Sequence, residues 1–375
     1  MSRSDRHGAR DVVFAHMAAQ SNPRRIDLTG ASVSELPGAM ELCAGVRELV
    51  LDGNRFAQVP SLIWELGELR QLHMDDNRLA SLPDQVAGLV QLETLHVRGN
   101  RLVRLPQSIG ALGRLKDLSA GQNRLASLPP SLWGLIRLET LNVGENRLRH
   151  LSSGIGRLRR LRMLDLGHNR LSSLPAAIGE LRQLSDYLYL SDNCLQSLPP
   201  EIGHLTELQY LAAADNQLLK LPESIGELSA LRELRLLNNH LREVPASLGR
   251  LTRLRQLDLS NNMLTGLPVT IGDLHDLEDL VLTNNKLAEL PVSLSGLSSL
   301  VRLSVRNNRL RKLPAAVTRL SRLTHLDLRG NDLRALPAGL ADMPQLVRLD
   351  LRWNKHLRAG TVAKRLRARG CVVLS

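Results

Sequence analysis

A six-residue phrase, L-x-L-x-x-N, recurs fourteen times in this chain of 375 residues and constrains its fold more than any other feature. The first copy covers residues 49–54 and the last covers 349–354, and other aliphatic residues replace the second leucine in some copies. Successive asparagines are 23 residues apart, except for a step of 24 from Asn169 to Asn193. A copy without the asparagine, at 26–31, opens the array. A fixed period of this length predicts a solenoid, which is a stack of similar coils.

One coil can be followed in residues 69–92, where the apolar spacing changes along the repeat. Leu72 and Met74 alternate with polar residues, and this period of two predicts a strand. Beyond Pro83 the apolar residues are three apart, which predicts a short 3-10 or single-turn return on the convex side. Proline recurs at this point in thirteen repeats, and Ser152 replaces it in one.

Each asparagine of the phrase lies where the chain turns inward after a strand and leaves backbone N–H and C=O groups without strand partners. A buried asparagine amide can both donate to and accept from such groups. We therefore expect each asparagine to hydrogen-bond backbone groups in its own coil and in the next one. These asparagines are predicted to be structural.

Both ends of a solenoid need caps, because a terminal coil would expose apolar residues and a strand edge. Residues 1–23 are predicted to form the N-terminal cap, with a short helix over 11–20, and residues 24–357 to form the solenoid. The basic residues 358–375 are predicted to form the C-terminal cap. Within it we expect a helix from Thr361 to Arg369 that ends at Gly370, followed by a strand-like segment that adds a final edge.

The charge distribution and the cysteine content limit the kinds of partner and the cellular compartment that suit this chain. Residues 301–375 contain 14 arginines, 3 lysines, 4 aspartates and no glutamate, so they carry +13 and the rest of the chain −1. The scattered Cys43, Cys194 and Cys371 offer no disulfide framework, which favours a reducing compartment. We expect the first and last to be buried and Cys194 to be exposed. No apolar run is long enough to span a membrane, and no secretory signal is evident, so a cytoplasmic location is expected, either in its own cell or, for an effector, in a host.

The full consensus, L-P-x-x-I-G-x-L-x-x-L-x-x-L-x-L-x-x-N-x-L, occurs at 221–241 and, with one inserted residue, at 174–195. It resembles the leucine-rich repeat family, and most of all the 23-residue cytoplasmic subgroup of Ras-pathway scaffolds, plant intracellular Ras-group proteins and bacterial proteins. The resemblance covers about residues 26–357. It implies an α/β solenoid shaped as a horseshoe, with a parallel concave sheet of about fifteen strands, short helical or 3-10 convex segments, and protein partners on the concave face.

All three tyrosines of the chain, Tyr187, Tyr189 and Tyr210, are predicted to face outward from neighbouring strands, flanked by Met163 and Leu237. Side chains of this kind are typical interface anchors and are unusual on a solvated sheet. The inserted residue lies in the same coil, and the missing proline lies two coils earlier; local breaks in a regular pattern tend to mark functional sites. We therefore predict that these five residues bind a partner. The alternative is a recombination scar that the tyrosines fill.

The last three full coils read Arg302-x-Ser304-x-Arg306, His325-x-Asp327-x-Arg329 and Arg348-x-Asp350-x-Arg352. They predict a partner-binding stripe of Arg306, Arg329 and Arg352 beside two aspartates, with Trp353 at its edge. Together with the basic cap, the stripe forms a positive end. We rank an acidic protein segment first as its partner, solvated charge second and nucleic acid third, because the stripe has one aromatic residue and no nucleic-acid motif.

Two further patterns involve arginine and histidine residues of the N-terminal repeats. An arginine follows the asparagine in six successive repeats, namely Arg55, Arg78, Arg101, Arg124, Arg147 and Arg170. We expect a solvated rim that also limits association at the sheet edge, with Asp52, Asp75, Asp76 and Glu145 available to pair with the arginines, and the alternative is a site for an acidic segment. His73 and His96 should lie side by side near an aspartate, but no closed set of metal ligands can be argued.

The function predicted from these patterns is a non-catalytic protein-binding scaffold that uses the concave face. No catalytic constellation stands out from the repeat columns, so no enzyme, metal or cofactor is predicted. The alternative is a bacterial effector or regulator that docks on an anionic nucleic acid or membrane surface through residues 301–375.

Overall fold

The structure, a computed structural model, describes residues 24–36 and 45–375. The described residues up to Leu171 form one compact unit, and residues Ser172–Ser375 form a second. The predicted N-terminal cap with its helix over 11–20 lies outside the described residues, and so does Cys43.

The first unit is a stack of coils, each with one short strand and one return. Its strands are β1 (Arg25–Asp27), β2 (Glu48–Val50), β3 (Gln71–His73), β4 (Thr94–His96), β5 (Asp117–Ser119), β6 (Thr140–Asn142) and β7 (Met163–Asp165). Each strand pairs in parallel with the next in chain order. The returns contain 3-10 segments at Ser61–Glu65, Asp84–Gly88, Gln107–Ala111, Pro130–Gly134 and Ser153–Arg157.

The second unit repeats this plan and adds an α-helix. Its strands are β8 (Tyr187–Tyr189), β9 (Tyr210–Ala212), β10 (Glu233–Arg235), β11 (Gln256–Asp258), β12 (Asp279–Val281), β13 (Arg302–Ser304), β14 (His325–Asp327), β15 (Arg348–Asp350) and β16 (Val372–Leu374), paired in parallel in this order. Its 3-10 segments are Ala176–Glu180, Pro200–His204, Glu223–Glu227, Ala246–Arg250, Val269–Asp273, Val292–Gly296, Ala315–Arg319 and Ala338–Asp342, and helix α1 is Gly360–Ala368.

The core of each coil lies between its strand and its return. The middle residue of every strand from β1 to β15 is aliphatic and at most 1% exposed, while the first and third residues point outward. Leu190 and Leu259, just after their strands, are fully buried, whereas Tyr189 and Asp258 are half-buried. The predicted solenoid of parallel strands with 3-10 returns is thus confirmed. We call the outward side of the strands the strand face and the opposite side the return face.

The asparagine of the phrase joins two coils, as Asn262 illustrates. Its Nδ2 donates to the carbonyl oxygens of Leu259 and Ser260, each at 3.1 Å, and to that of Leu236 at 2.9 Å. Its Oδ1 accepts the backbone N–H of Leu241 at 3.0 Å. The expected contact with a neighbouring coil is present, but the neighbour is the preceding coil and not the next one. The turn after the strand packs over backbone groups that the preceding coil leaves free.

The coil without its proline has a local packing explanation. Ser152 caps the return Ser153–Arg157, where its hydroxyl accepts the N–H of Gly154 at 3.1 Å. The buried indole of Trp133 lies so close to Gly154 that a Cβ atom there would overlap the ring. This break therefore belongs to the return face of the first unit, while the tyrosines lie on the strand face of the second.

The C-terminal residues cover the last coil of the second unit. Helix α1 lies within one residue of the predicted helix and is followed by Gly370, whose positive φ of 88° suits a residue without a side chain. Leu366 of α1 is fully buried, and β16 pairs with β15. Cys371 is buried as expected, while Cys194, expected to be exposed, is half-buried.

Candidate binding surfaces on the strand face

The tyrosine cluster of the second unit consists of Tyr187, Tyr189, Tyr210 and Leu237, all of them half-buried. Tyr187 lies beside Tyr210 in the register of β8 and β9. Met163, which was predicted to flank them, is half-buried on β7 of the first unit.

A cation that was not predicted from the sequence, Arg235, covers part of this cluster. The guanidinium carbon of Arg235 lies 5.7 Å from the ring centroid of Tyr210, within cation–π range, and Glu233 forms an ion pair with Arg235. Burial raises the pKa of the Tyr210 hydroxyl. The sequence could have revealed this ion pair beside the tyrosines, because Glu233 and Arg235 occupy the same outward positions of their strand as Tyr210 and Ala212 do in theirs. The cluster thus presents an amphipathic surface of phenol rings beside an ion pair.

Two arginines of the predicted stripe are neutralised by carboxylates of their own strands. Arg329 Nε lies 2.9 Å from Asp327 Oδ1. Arg352 contacts Asp350 through Nε at 3.0 Å and Nη2 at 2.7 Å. Asp350 is only 3% exposed; burial raises its pKa, but hydrogen bonds from Arg352 and the two arginine charges bring it below the usual value. These forked pairs fix the orientation of both guanidinium groups.

Arg306, the third arginine of the stripe, has a different environment. The carboxylate found in the next two coils is replaced by Ser304, whose hydroxyl is 2.8 Å from that of Thr283. No carboxylate of the described residues forms an ion pair with Arg306, and its Nε is buried without a hydrogen-bond partner. The guanidinium carbons of Arg306 and Arg352 lie 5.6 and 5.7 Å from the ring centroid of Trp353, which is 62% exposed.

A cavity of about 410 Å³ lies on the strand face of β12 to β15, next to this cluster. Its polar lining comprises Asp279, Arg302, Ser304, His325, Asp327, Arg329, Arg348 and Asp350. Arg302 contacts Asp279 through Nε at 3.0 Å and Nη2 at 2.9 Å. Arg348 forms no ion pair with any described residue. Asp279 was not foreseen, although it is the first residue of its strand, like Arg302, His325 and Arg348.

Much of the basic charge of the C-terminal cap is used to hold the cap in place. Arg365 lies 2.6 Å from a carboxylate oxygen of Asp342, and Arg369 donates to the carbonyl oxygen of Met343 at 2.6 Å. Arg367 donates to the carbonyl oxygen of Val373 at 3.1 Å. Lys364 is exposed. The predicted positive end is therefore less available to a partner than its formal charge indicates.

The arginine column of the first unit is exposed, and none of its arginines forms an ion pair with an acidic side chain of the described residues. Asp52 Oδ1 accepts the backbone N–H of Asp75 at 2.7 Å, and Asp75 Oδ1 accepts that of Arg98 at 2.6 Å. Glu145 accepts from the side-chain amide of Gln122 at 2.8 Å. Asp52, Asp75 and Glu145, which were available to pair with the column, thus accept hydrogen bonds from backbone and amide groups instead.

His73 and His96, on neighbouring strands of the first unit, are hydrogen-bonded to each other. Their Nδ1 atoms are 3.1 Å apart, and His96 Nε2 lies 2.9 Å from Asp117 Oδ2. Burial and the charge of His96 lower the pKa of His73. Burial is the largest effect on His96 and disfavours its charged form, but the hydrogen bond to Asp117 and the charges of Asp117, Asp75 and Asp52 together outweigh burial and raise the pKa of His96. Across residues 24–36 and 45–375, no group of three or more histidine, cysteine or acidic side chains could hold a metal ion.

Comparisons with family models show one consistent relationship. Residues 24–146 match a model described as a leucine-rich repeat region, and residues 136–186, 229–287 and 298–355 match a model described as a leucine rich repeat. No match was found among curated proteins.

Several solved structures are similar. A leucine-rich repeat protein of Leptospira interrogans has a TM-score of 0.80 and 32% identity, over 93% of this chain and 95% of that one. A plant peptide hormone receptor, RGFR1 in complex with RGF2, has a TM-score of 0.75 and 29% identity, over 91% of this chain and 54% of that one. An internalin of Listeria monocytogenes, at 19% identity and a TM-score of 0.68, shares the fold. No helix in the described part of this chain is long and apolar enough to cross a bilayer.

Proposed function

The chain belongs to the leucine-rich repeat family, and from that premise we propose that it is a non-catalytic scaffold that binds a protein partner on the strand face of its second unit. The observation that carries the proposal is the tyrosine cluster. Its half-buried rings lie beside the ion pair of Arg235 and Glu233. Aromatic side chains and arginine are the residues most enriched among interface anchors.

The similar solenoids support a peptide or protein as the ligand. The plant relative at 29% identity is described as a peptide hormone receptor and was solved in complex with RGF2. A sheet of parallel strands offers an extended surface of outward side chains, which suits a polypeptide better than a small molecule. Met163 on the first unit and the stripe of Arg306, Arg329, Arg352 and Trp353 are proposed as further contacts.

The alternative partner is an anionic nucleic acid or membrane surface bound through residues 301–375. The contacts of Arg365, Arg367 and Arg369 within the cap weigh against it, because these cations already have acceptors. A cytoplasmic location, in the producing cell or in a host, belongs to the proposal and rests on the scattered cysteines.

The test is affinity capture from native lysate with the whole chain and with the variant Tyr187→Ala, Tyr189→Ala and Tyr210→Ala. Loss of anchors worth about 2 kcal/mol each should reduce capture of the specific partner at least about thirtyfold. The matched control is Val269→Ala with Val292→Ala, which removes two exposed apolar side chains from the return face. Circular dichroism and thermal melting establish that each variant is folded.

A salt series separates the proposal from its alternative. A complex anchored by tyrosines should survive salt that dissociates an electrostatic complex. Equal capture by the folded tyrosine variant and the wild type would remove the tyrosine cluster from the function. Steep loss of nucleic-acid or vesicle binding with salt, together with no protein captured, would favour the alternative.

A further inference from the structure

The coils of β13, β14 and β15 differ at one outward position, and the difference leaves one arginine unpaired. In β14 and β15 an aspartate is followed two residues later by an arginine, and the two side chains form a forked pair that uses the arginine Nε. In β13 the same positions hold Ser304 and Arg306. The Nε of Arg306 is buried and has no hydrogen-bond partner. A buried donor without an acceptor destabilises the structure, so a ligand that supplies the acceptor is favoured.

The missing group has a defined chemistry, because the neighbouring coils show what fills the equivalent place. Asp327 and Asp350 present two coplanar oxygens to the edge of a guanidinium, an arrangement that a carboxylate matches best. The Ser304 hydroxyl does not replace them, since it is hydrogen-bonded to Thr283.

The surroundings offer space and a second cation. The cavity of about 410 Å³ extends over Ser304 and is also lined by Arg348, which has no carboxylate partner among the described residues. Arg306 and Trp353 do not line this cavity; the guanidinium carbon of Arg306 lies 5.6 Å from the ring centroid of Trp353, which is largely exposed. The Trp353 backbone φ of 62° belongs to the repeat, because the residue before the asparagine also has positive φ in the neighbouring coils, at Asn307 and Gly330.

We propose that Ser304 and Arg306 form a receptor for a carboxylate of an acidic peptide segment, with Arg348 available to a second acidic residue. The partner's carboxylate takes the place that Asp327 and Asp350 occupy in the next two coils. This inference rests on the proposed function in requiring a protein partner, and it names the chemistry of the segment bound.

The test uses the full chain and two short synthetic peptides with blocked ends, one alternating glutamate with serine and the other alternating glutamine with serine. Fluorescence anisotropy at low salt should show binding of the glutamate peptide and little binding of the glutamine peptide. Arg306→Gln should weaken binding of the glutamate peptide at least about tenfold, because the charge-assisted hydrogen bonds between the guanidinium and a carboxylate are lost. The matched control is Arg309→Gln, which removes an equal charge from an exposed arginine nearby.

A second pair of variants tests the site from the opposite direction. Ser304→Asp supplies the carboxylate within the chain, so the new aspartate should pair with Arg306. The affinity for the glutamate peptide should then fall at least about tenfold, while the melting temperature should stay the same or rise. Ser304→Asn introduces a side chain of nearly the same shape as aspartate but without the charge. Its affinity for the glutamate peptide should stay within about threefold of the wild type.

Three results would overturn the inference. They are equal effects of Arg306→Gln and Arg309→Gln, retained peptide binding in Ser304→Asp, and Arg306-dependent binding of single-stranded RNA or phosphatidylserine vesicles in place of the peptide. If the glutamate peptide does not bind but a protein is still captured from lysate in a tyrosine-dependent way, the carboxylate receptor is excluded and the proposed function stands. If the peptide binds but no such protein is captured, the receptor stands and the proposed function is excluded.

Discussion

The carboxylate of Asp75 is subject to opposing effects on its charge. Burial disfavours the ionised form, and the nearby charge of Asp52 adds to this, whereas the N–H of Arg98, 2.6 Å from Oδ1, favours it. Burial prevails and raises the pKa of Asp75 from 3.8 to about 6. The folded protein therefore takes up a proton here at a higher pH than the unfolded chain does.

The free energy of unfolding should depend on pH through this group. Above pH 6 the ionised carboxylate costs stability; as the pH falls through about 6 the folded state binds the proton first, and stability rises until the unfolded chain also protonates near 3.8. Asp75→Asn keeps the acceptor for Arg98 and removes the charge. We expect this variant to be more stable than the wild type by about 1–2 kcal/mol at pH 8, after allowance for partial exposure.

Urea unfolding at several values between about pH 5 and pH 8 measures this effect. The advantage of Asp75→Asn should shrink as the pH falls through 6, because the wild-type carboxyl becomes neutral. A difference between the two proteins that stays constant over this range would contradict the assignment.

Single residues show what the sequence does and does not determine. The outward position of Tyr189 and the burial of Leu190 follow from the period of two along a strand. Arg329 forms a bidentate pair with Asp327, whereas Arg306 lies against the ring of Trp353. This difference depends on the rotamers of long side chains. The spacing placed these groups on one face, but it did not reveal which cation would be left without a carboxylate.

At the scale of the return segments, close approach of successive coils explains the glycine of the consensus. At Gly226 an added Cβ would overlap the carbonyl oxygen of Ser247 in the next coil, and Gly249 meets Thr270 in the same way. The proline and the buried aliphatic residues of the return were predictable from their spacing. The contact between coils was not, because it depends on the separation of two backbones.

Gly226→Ala should destabilise the second unit by about 1–3 kcal/mol, because backbone must move to admit the methyl group. The control is Gly266→Ala, where an added Cβ meets nothing within 4 Å and φ is not positive. That change should alter stability by less than about 0.5 kcal/mol. Chemical denaturation of both variants gives the comparison, and equal stability of the two would refute the packing argument.

At the scale of the whole molecule, net charge was a poor guide to the charge that a partner meets. Residues 301–375 carry a formal +13. Arg329 and Arg352 are paired with aspartates, and Arg365, Arg367 and Arg369 are bound within the cap. The fold could be predicted from the repeat, because the period alone dictates a stack. The charge left for binding could not, because it depends on three-dimensional pairing.

Stability in a solenoid is transmitted mainly between neighbouring coils, so the C-terminal cap should protect the last coil locally. Leu366 of α1 is fully buried, while Lys364 of the same helix is exposed. Leu366→Ala should lower the free energy of unfolding of the last coil by about 2–4 kcal/mol, and Lys364→Ala should lower it by less than about 0.5 kcal/mol.

The loss in Leu366→Ala should appear as faster amide hydrogen exchange in Ala338–Asp342 and β15, with little change in strands β8 to β10, because a terminal coil opens without unfolding distant ones. Equal exchange in the two variants would show that α1 does not hold the last coil. Faster exchange throughout the second unit would instead mean that its coils unfold together, and the nearest-neighbour description would not apply to this chain.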